Sequence, residues 1–102
     1  MEGRVPPHNL EAEVATLGAL LLDPAAVNRV FDLLRPDDFY KKAHARVYES
    51  ILRLSDRGES IDLITLNNEL QAQGELTRVG GAAYLSTLTN AVPSSANIEY
   101  YA

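Results

Sequence analysis

The chain holds no cysteine and only two lysines, and each shortage removes a class of function. Without cysteine there is neither a disulfide framework nor a thiolate metal site. The lysines are Lys41 and Lys42, and the net charge is −5 at pH 7, a poor balance for a surface that neutralises nucleic-acid phosphates. The densest basic stretch runs from Arg35 to Arg46, is interrupted by Asp37 and Asp38, and reads as a solvated helix face. No apolar run approaches the ~20 residues that span a bilayer. The N-terminus, MEGRVPPHNLEAE, has no basic segment followed by an apolar one, so it is not a secretory signal, and the expected location is cytoplasmic.

What remains is the balance of an ordinary globular protein, with 46% hydrophobic and 23% charged residues in a chain of 102. That length is one domain's worth, able to bury roughly two-thirds of its surface. Apolar spacing is helical throughout and no alternating run reads as a strand, so the expected fold is an all-α globule of about six short helices. Asn9 caps a first helix with Leu10, Val14, Leu17 and Leu21 on one stripe, and Gly18 inside it points to a close helix neighbour. Asp23 before Pro24 is an N-cap with proline at the first helical position, opening a second helix that offers Val27, Val30, Phe31 and Leu34 and stops before Pro36.

A third helix covers about Lys41 to Arg57, with Ala43, Val47, Ile51 and Leu54 inward and Gly58 as its stop. Asp62 caps the fourth, where Ile61 and Leu66 have the spacing of a hydrophobic staple and Leu63, Leu66 and Leu70 form the buried stripe up to Gly74. The fifth spans roughly Ala82 to Ala91 with Tyr84, Leu85 and Leu88. Pro93, Ser94 and Ser95 break the chain before a sixth, ANIEYYA, which ends without a cap and is marginal alone. Its tyrosines are ready to pack on something, and the expectation is a piece of a longer protein.

No catalytic constellation survives inspection. The glycine pair in VGGAAYL lacks the lysine, the following Ser or Thr, and the preceding strand of a phosphate-binding loop, and it does not match G-x-G-x-x-G. Its plain reading is a turn that lets a helix start close to its neighbour. His8 and His44 are far apart with no ligand spacing around them, and His44 reads as a packed or surface histidine. Asp37 and Asp38 suit the positive end of the helix that follows. Ser94 and Ser95 read as caps. Tyr84 is open between two roles: half-buried core residue, or an aromatic at a protein contact.

Five segments in order then carry a resemblance: PPHNLEAE with LGALLLD, DFYKKAHARVYESI, RGESIDLITLNNEL, VGGAAYLSTL, and NIEYYA. Over residues 5 to 102 the chain resembles the N-terminal domain of the bacterial replicative DNA helicase, the DnaB family. Val14 and Thr16 depart from the family's pattern, where glutamine and valine are more frequent, which shifts the expected stripe of the first helix by about a position. The resemblance implies an N-terminal collar domain, residues 1 to 102, with ANIEYYA as the truncated start of a helical hairpin. The rest of the hairpin, a linker and a RecA-like ATPase domain are then absent from this chain.

It further implies a non-catalytic role in hexamer assembly and primase docking within a parent enzyme that unwinds DNA 5′ to 3′ with ATP. No cofactor is expected in this fragment; ATP and Mg belong to the missing C-terminal domain. Implied partners are the C-terminal domain of primase, neighbouring helicase subunits in a trimer of dimers, and a helicase loader, with no strong direct DNA binding and no membrane. The implied protein-interface residues are Tyr84, Leu88, Ile98, Tyr100 and Tyr101. A free-standing helical adaptor of a primosome or phage is the alternative. A helix-turn-helix DNA binder needs a basic recognition helix, and Arg78 is the only base near the fourth and fifth helices.

Overall fold

Six α-helices, α1 Leu10–Leu22, α2 Val27–Val30, α3 Lys42–Asp56, α4 Leu63–Ala72, α5 Leu76–Val79 and α6 Gly81–Asn90, build the computed structural model, which describes residues 10–90. Short 3₁₀ turns at Pro24–Ala26 and Pro36–Asp38 complete it, and no strand occurs among the described residues. The fold is therefore all-α, as periodicity predicts. The expected caps at Asn9, Ser94 and Ser95 and the helix at ANIEYYA lie outside the described residues.

α1 differs from its expected stripe. Leu10 is 36% exposed and Val14 only half-buried, while Glu13, Ala15, Thr16, Leu17, Ala19, Leu20 and Leu21 are all buried. α6 packs along α1, with α3 and the 3₁₀ turn at Pro24–Ala26 on other sides, so more than one face is covered. Gly18 is buried inside this packing, consistent with a close helix neighbour. Thr16 is accommodated because its hydroxyl donates to the Ala12 carbonyl at 2.8 Å.

The second helix also departs from expectation. Asp23 makes no side-chain cap; its carboxylate lies 3.6 Å from the Arg29 guanidinium instead. Proline at the first position opens a 3₁₀ turn, and α2 is then a single turn, so the helical spacing from Val27 to Leu34 is interrupted. Phe31 consequently points outward at 58% exposure, whereas Leu34 re-enters the core at 2%.

α3 and α4 behave as their sequences indicate. Val47, Ile51 and Leu54 are buried, and Ala43 is partly so. Tyr48 joins them with no exposure, its hydroxyl donating to the Leu34 carbonyl at 2.7 Å. Burial first, then the nearby Asp38 charge, pushes the Tyr48 phenol up to about 12. Asp62 accepts from the Thr65 N–H at 2.9 Å while Thr65 Oγ1 accepts from the Asp62 N–H at 3.0 Å, a reciprocal cap worth about 1 kcal/mol. Ile61 and Leu66 are buried on either side of that cap, as a staple requires. Gly58 and Gly74 both take φ +71° where α3 and α4 end.

α5 is the element that periodicity does not reveal. Four residues carry no measurable period, and only Val79 of them is buried. The Asp37–Asp38 pair likewise belongs to its own 3₁₀ turn, where Asp38 accepts from the Arg35 N–H at 2.8 Å, rather than to the start of α3.

Candidate functional site

The glycine pair places the site. Gly80 ends α5 in the left-handed region at φ +113°, and Gly81 opens α6 at φ +78°. A Cβ on Gly80 would sit 2.7 Å from Cβ of Tyr84, closer than carbon atoms approach. Glycine is thus required twice at position 80, by backbone angle and by space. The pair is a turn and packing device whose geometry fixes where α6 presents Tyr84.

Tyr84 is half-buried, and its hydroxyl lies 2.6 Å from Nε2 of His44. The two rings stack at 6.0 Å between centroids with 14° between planes. His44 is 1% exposed, and its Nδ1 lies 2.6 Å from Oε1 of Glu13, itself 1% exposed. The other oxygen, Oε2, accepts from the Tyr40 N–H at 2.6 Å, and Oε1 receives a longer bond from the Lys41 N–H at 3.4 Å. A buried relay therefore runs from α1 through α3 to α6. Phe39 closes it edge-on to His44 at 6.4 Å, and the Lys41 ammonium sits 5.1 Å above the Tyr84 ring.

Proton positions follow from the partners. Both Glu13 oxygens accept backbone N–H bonds, so the carboxylate is an acceptor throughout and the His44 proton is assigned to Nδ1. Nε2 is then an acceptor, and the Tyr84 hydroxyl donates to it. Burial lowers the His44 pKa from its ordinary value; the Glu13 bond and charge oppose this, and Lys41 adds to it. Burial, then the Glu13 charge, raises that of Tyr84.

A carboxylate, an imidazole and a hydroxyl in series can activate a nucleophile when a substrate cavity opens on the hydroxyl. None of the hollows described among these residues is lined by Glu13, His44 or Tyr84. The relay's evident effect is positional: it holds one aromatic side chain in one orientation at the protein surface. Exposed Tyr40, at 61%, lies next to Lys41 in sequence on the same loop.

A second polar cluster joins α3 to α4. Glu69 accepts from Arg57 at 2.6 Å, from Arg53 at 3.0 Å and from Gln73 at 3.1 Å. Glu75 lies 3.3 Å from Arg46 on the neighbouring face. Between α4 and α6 a groove of about 290 Å³ is lined by Leu63, Ile64, Asn67, Asn68, Ala82, Leu85 and Ser86, with Ile64 73% exposed on it. No group of three or more His, Asp or Glu side chains suited to a metal occurs among the described residues.

The residues singled out from sequence fall in different places. Leu88 is fully buried in the core, reached by a partner only if α6 separates from its neighbours. Ile98, Tyr100 and Tyr101 lie outside the described residues. His44 is packed, one of the two places its sequence context allows, and its bonds to Glu13 and Tyr84 carry no local sequence signal. Glu13 stands in the first turn of α1, where an acid ordinarily serves the positive end of the helix. The available signal was its place one helical turn before Leu17, on a face that is otherwise apolar.

Comparison with known proteins gives a consistent result. The family described as DnaB-like helicase N-terminal domain matches residues 5–102. The chain is 50% identical over 99 residues to the replicative DNA helicase DnaB of Geobacillus stearothermophilus, covering 97% of the chain and 22% of that relative. It is 48% identical over 102 residues to the replicative DNA helicase DnaC of Bacillus subtilis, again 22% of that protein. The crystal structure of the N-terminal domain of DnaB helicase from Mycobacterium tuberculosis superposes with a TM-score of 0.90 at 48% identity, over 95% of this chain and 70% of that one. The chain belongs to the DnaB-like helicase N-terminal domain family, and it spans about a fifth of the length of these curated relatives.

Proposed function

We propose that this member of the DnaB-like N-terminal family serves as the non-catalytic collar domain of a replicative DNA helicase, contributing to hexamer assembly and docking primase. ATP hydrolysis with Mg and 5′-to-3′ unwinding then belong to a domain outside this chain. The observation that carries the docking half is Tyr84. Two buried polar side chains are committed to fixing one half-exposed ring, with the Lys41 ammonium above it. Aromatic side chains held rigid at a surface are what protein contacts use, because little conformational freedom is lost on binding. The assembly half is supported by family membership and by exposed Leu22 and Ile64 beside α4, apolar surface of the kind subunit contacts cover.

In this reading the primase C-terminal domain contacts Tyr84, while neighbouring subunits and a loader use other faces. Ile98, Tyr100 and Tyr101 are the remaining interface candidates. The test is Tyr84→Ala in the full-length helicase, with primase binding, primase stimulation and hexamer assembly measured together. The expected result is weakened primase binding with the hexamer intact. Unchanged binding, stimulation and assembly overturn the assignment of Tyr84. A large fall in melting temperature with unaltered binding returns Tyr84 to a purely structural role.

A further inference from the structure

We infer that His44, held by Glu13, decides which way the Tyr84 hydroxyl directs its proton, so that docking at Tyr84 is coupled to the proton on His44. The inference deepens the docking reading above and rests on it. While His44 is neutral, its Nε2 has only a lone pair to offer, and the Tyr84 hydroxyl donates inward across 2.6 Å. The phenol oxygen then presents lone pairs alone to an incoming partner. A partner group that donates, such as an amide or hydroxyl, is accepted; a carboxylate is refused.

Protonation of His44 reverses this arrangement without moving the rings. The imidazolium donates from both nitrogens, Nδ1 to Glu13 and Nε2 to the phenol oxygen. The Tyr84 proton must then turn away from His44 and toward the partner. A donor on the partner now meets a donor on Tyr84, and one hydrogen bond of the complex is lost.

Among the described residues, few charged and titratable groups face His44. Glu13 faces it from α1 at 2.6 Å, Tyr84 from α6 at 2.6 Å, and Lys41 from the start of its own helix. Asp38, on the preceding 3₁₀ turn, is engaged with the Arg35 N–H. Burial already holds the neutral form of His44 against the pull of Glu13, so the proton arrives only on acidification. Lys41 adds a second constraint, since a cationic donor on the partner would be repelled above the ring. The partner group that fits is an uncharged donor.

The experiment is a titration of the full-length helicase with the C-terminal domain of its cognate primase, followed by calorimetry from pH 8 to pH 5. Wild type, Tyr84→Phe and His44→Gln are compared. Tyr84→Phe keeps the ring and removes the hydroxyl; His44→Gln keeps a neutral polar group that does not titrate. Wild-type affinity is expected to fall roughly three- to tenfold on acidification, the worth of one hydrogen bond. Both variants are expected to lose that fall, apart from whatever slope primase itself contributes equally to all three.

A pH slope that persists unchanged in Tyr84→Phe overturns the coupling, even if His44→Gln does not fold. Wild-type binding that strengthens on acidification, with the slope abolished by Tyr84→Phe, overturns the donor assignment for the partner. Absence of wild-type binding at every pH overturns the docking reading itself, a result distinct from the first two. A merely structural His44 would change affinity uniformly and leave the slope in place.

Discussion

Glu13 and Glu69 are both nearly shut off from water, at 1% and 7% exposure, yet their surroundings are opposite in kind. Glu69 sits at the rim of the α3–α4 junction and is neutralised by two cations, Arg53 and Arg57, with Gln73 beside them. Glu13 lies inside, and its hydrogen bonds come from uncharged groups: the Tyr40 and Lys41 amides and a neutral imidazole. An exposed ion pair contributes little because water and salt compete with it. A buried carboxylate held by fixed donors contributes more, and the loss of any member strands the rest. The first arrangement clasps two helices together. The second transmits position, since what happens at Glu13 reaches Tyr84 through one imidazole.

The largest effect expected from breaking this contrast is at Glu13. Glu13→Ala removes the acceptor of two part-buried backbone N–H groups and of the buried His44 Nδ1–H. The expected loss is about 3 kcal/mol, which for a domain of this size lowers the melting temperature by about 15 °C. Calorimetry on the domain measures it, with the His44 and Tyr84 ring resonances as a second readout of the relay. A loss under ~1 kcal/mol would mean that the relay is not a stabilising network at all.

Next in size is a comparison between two glycines, one at each cluster. Gly58 follows α3 beside the Glu69 network, at φ +71° with open space around a Cβ. Gly80 carries a similar angular demand but faces Tyr84 at 2.7 Å. Gly58→Ala is expected to cost about 1 kcal/mol, the backbone term alone, and Gly80→Ala about 2 to 3 kcal/mol. Because the closest atom is Cβ of Tyr84, a Tyr84→Ala background removes only the contact with Cγ at 3.0 Å and relieves Gly80→Ala in part. Equal costs at the two glycines would remove the claim that position 80 is shaped by Tyr84. Chemical denaturation of the four variants separates these outcomes.

Much of the scaffold was legible in the sequence because α3 and α4 state their own boundaries. Asp62 with Thr65, Ile61 with Leu66, and the glycines at 58 and 74 are local signals, and the structure uses each of them. α1 and α2 were misread for a shared reason. Periodicity presumes one buried face on a continuous helix, whereas α1 is covered on several sides and α2 is one turn after a 3₁₀ start. Phe31 and Leu10 therefore look like core and lie outside it. The relay was illegible in a different sense. Its three side chains are separated by 31 and 40 positions along the chain, and nothing short of packing α1, α3 and α6 brings them together. Tyr84 could be singled out, but not what holds it.

The smallest effects separate the two clusters by pH. Glu69 is held at about 2, chiefly by the Arg57 bond, with Arg53 and Gln73 assisting and burial opposing. Its folded value lies below the ordinary 4.5, so its contribution is present above that value and is lost as pH falls from 4.5 toward 2. His44 is also lowered in the fold, but for a base the consequence falls in a different window. The unfolded chain takes up the proton first, so stability is full above the ordinary 6.5 and declines as pH drops through the lower folded value. Two limbs are expected in a plot of stability against pH. His44→Gln should remove the limb that begins just below neutrality. Glu69→Gln should flatten the acid limb and cost about 1 kcal/mol at pH 7, because its arginines are 39% and 45% exposed. Molar salt should weaken the Glu69 limb and spare the His44 limb, since screening reaches the rim and not the interior. If both limbs respond to salt alike, the relay is open to solvent and the contrast between the two carboxylates collapses.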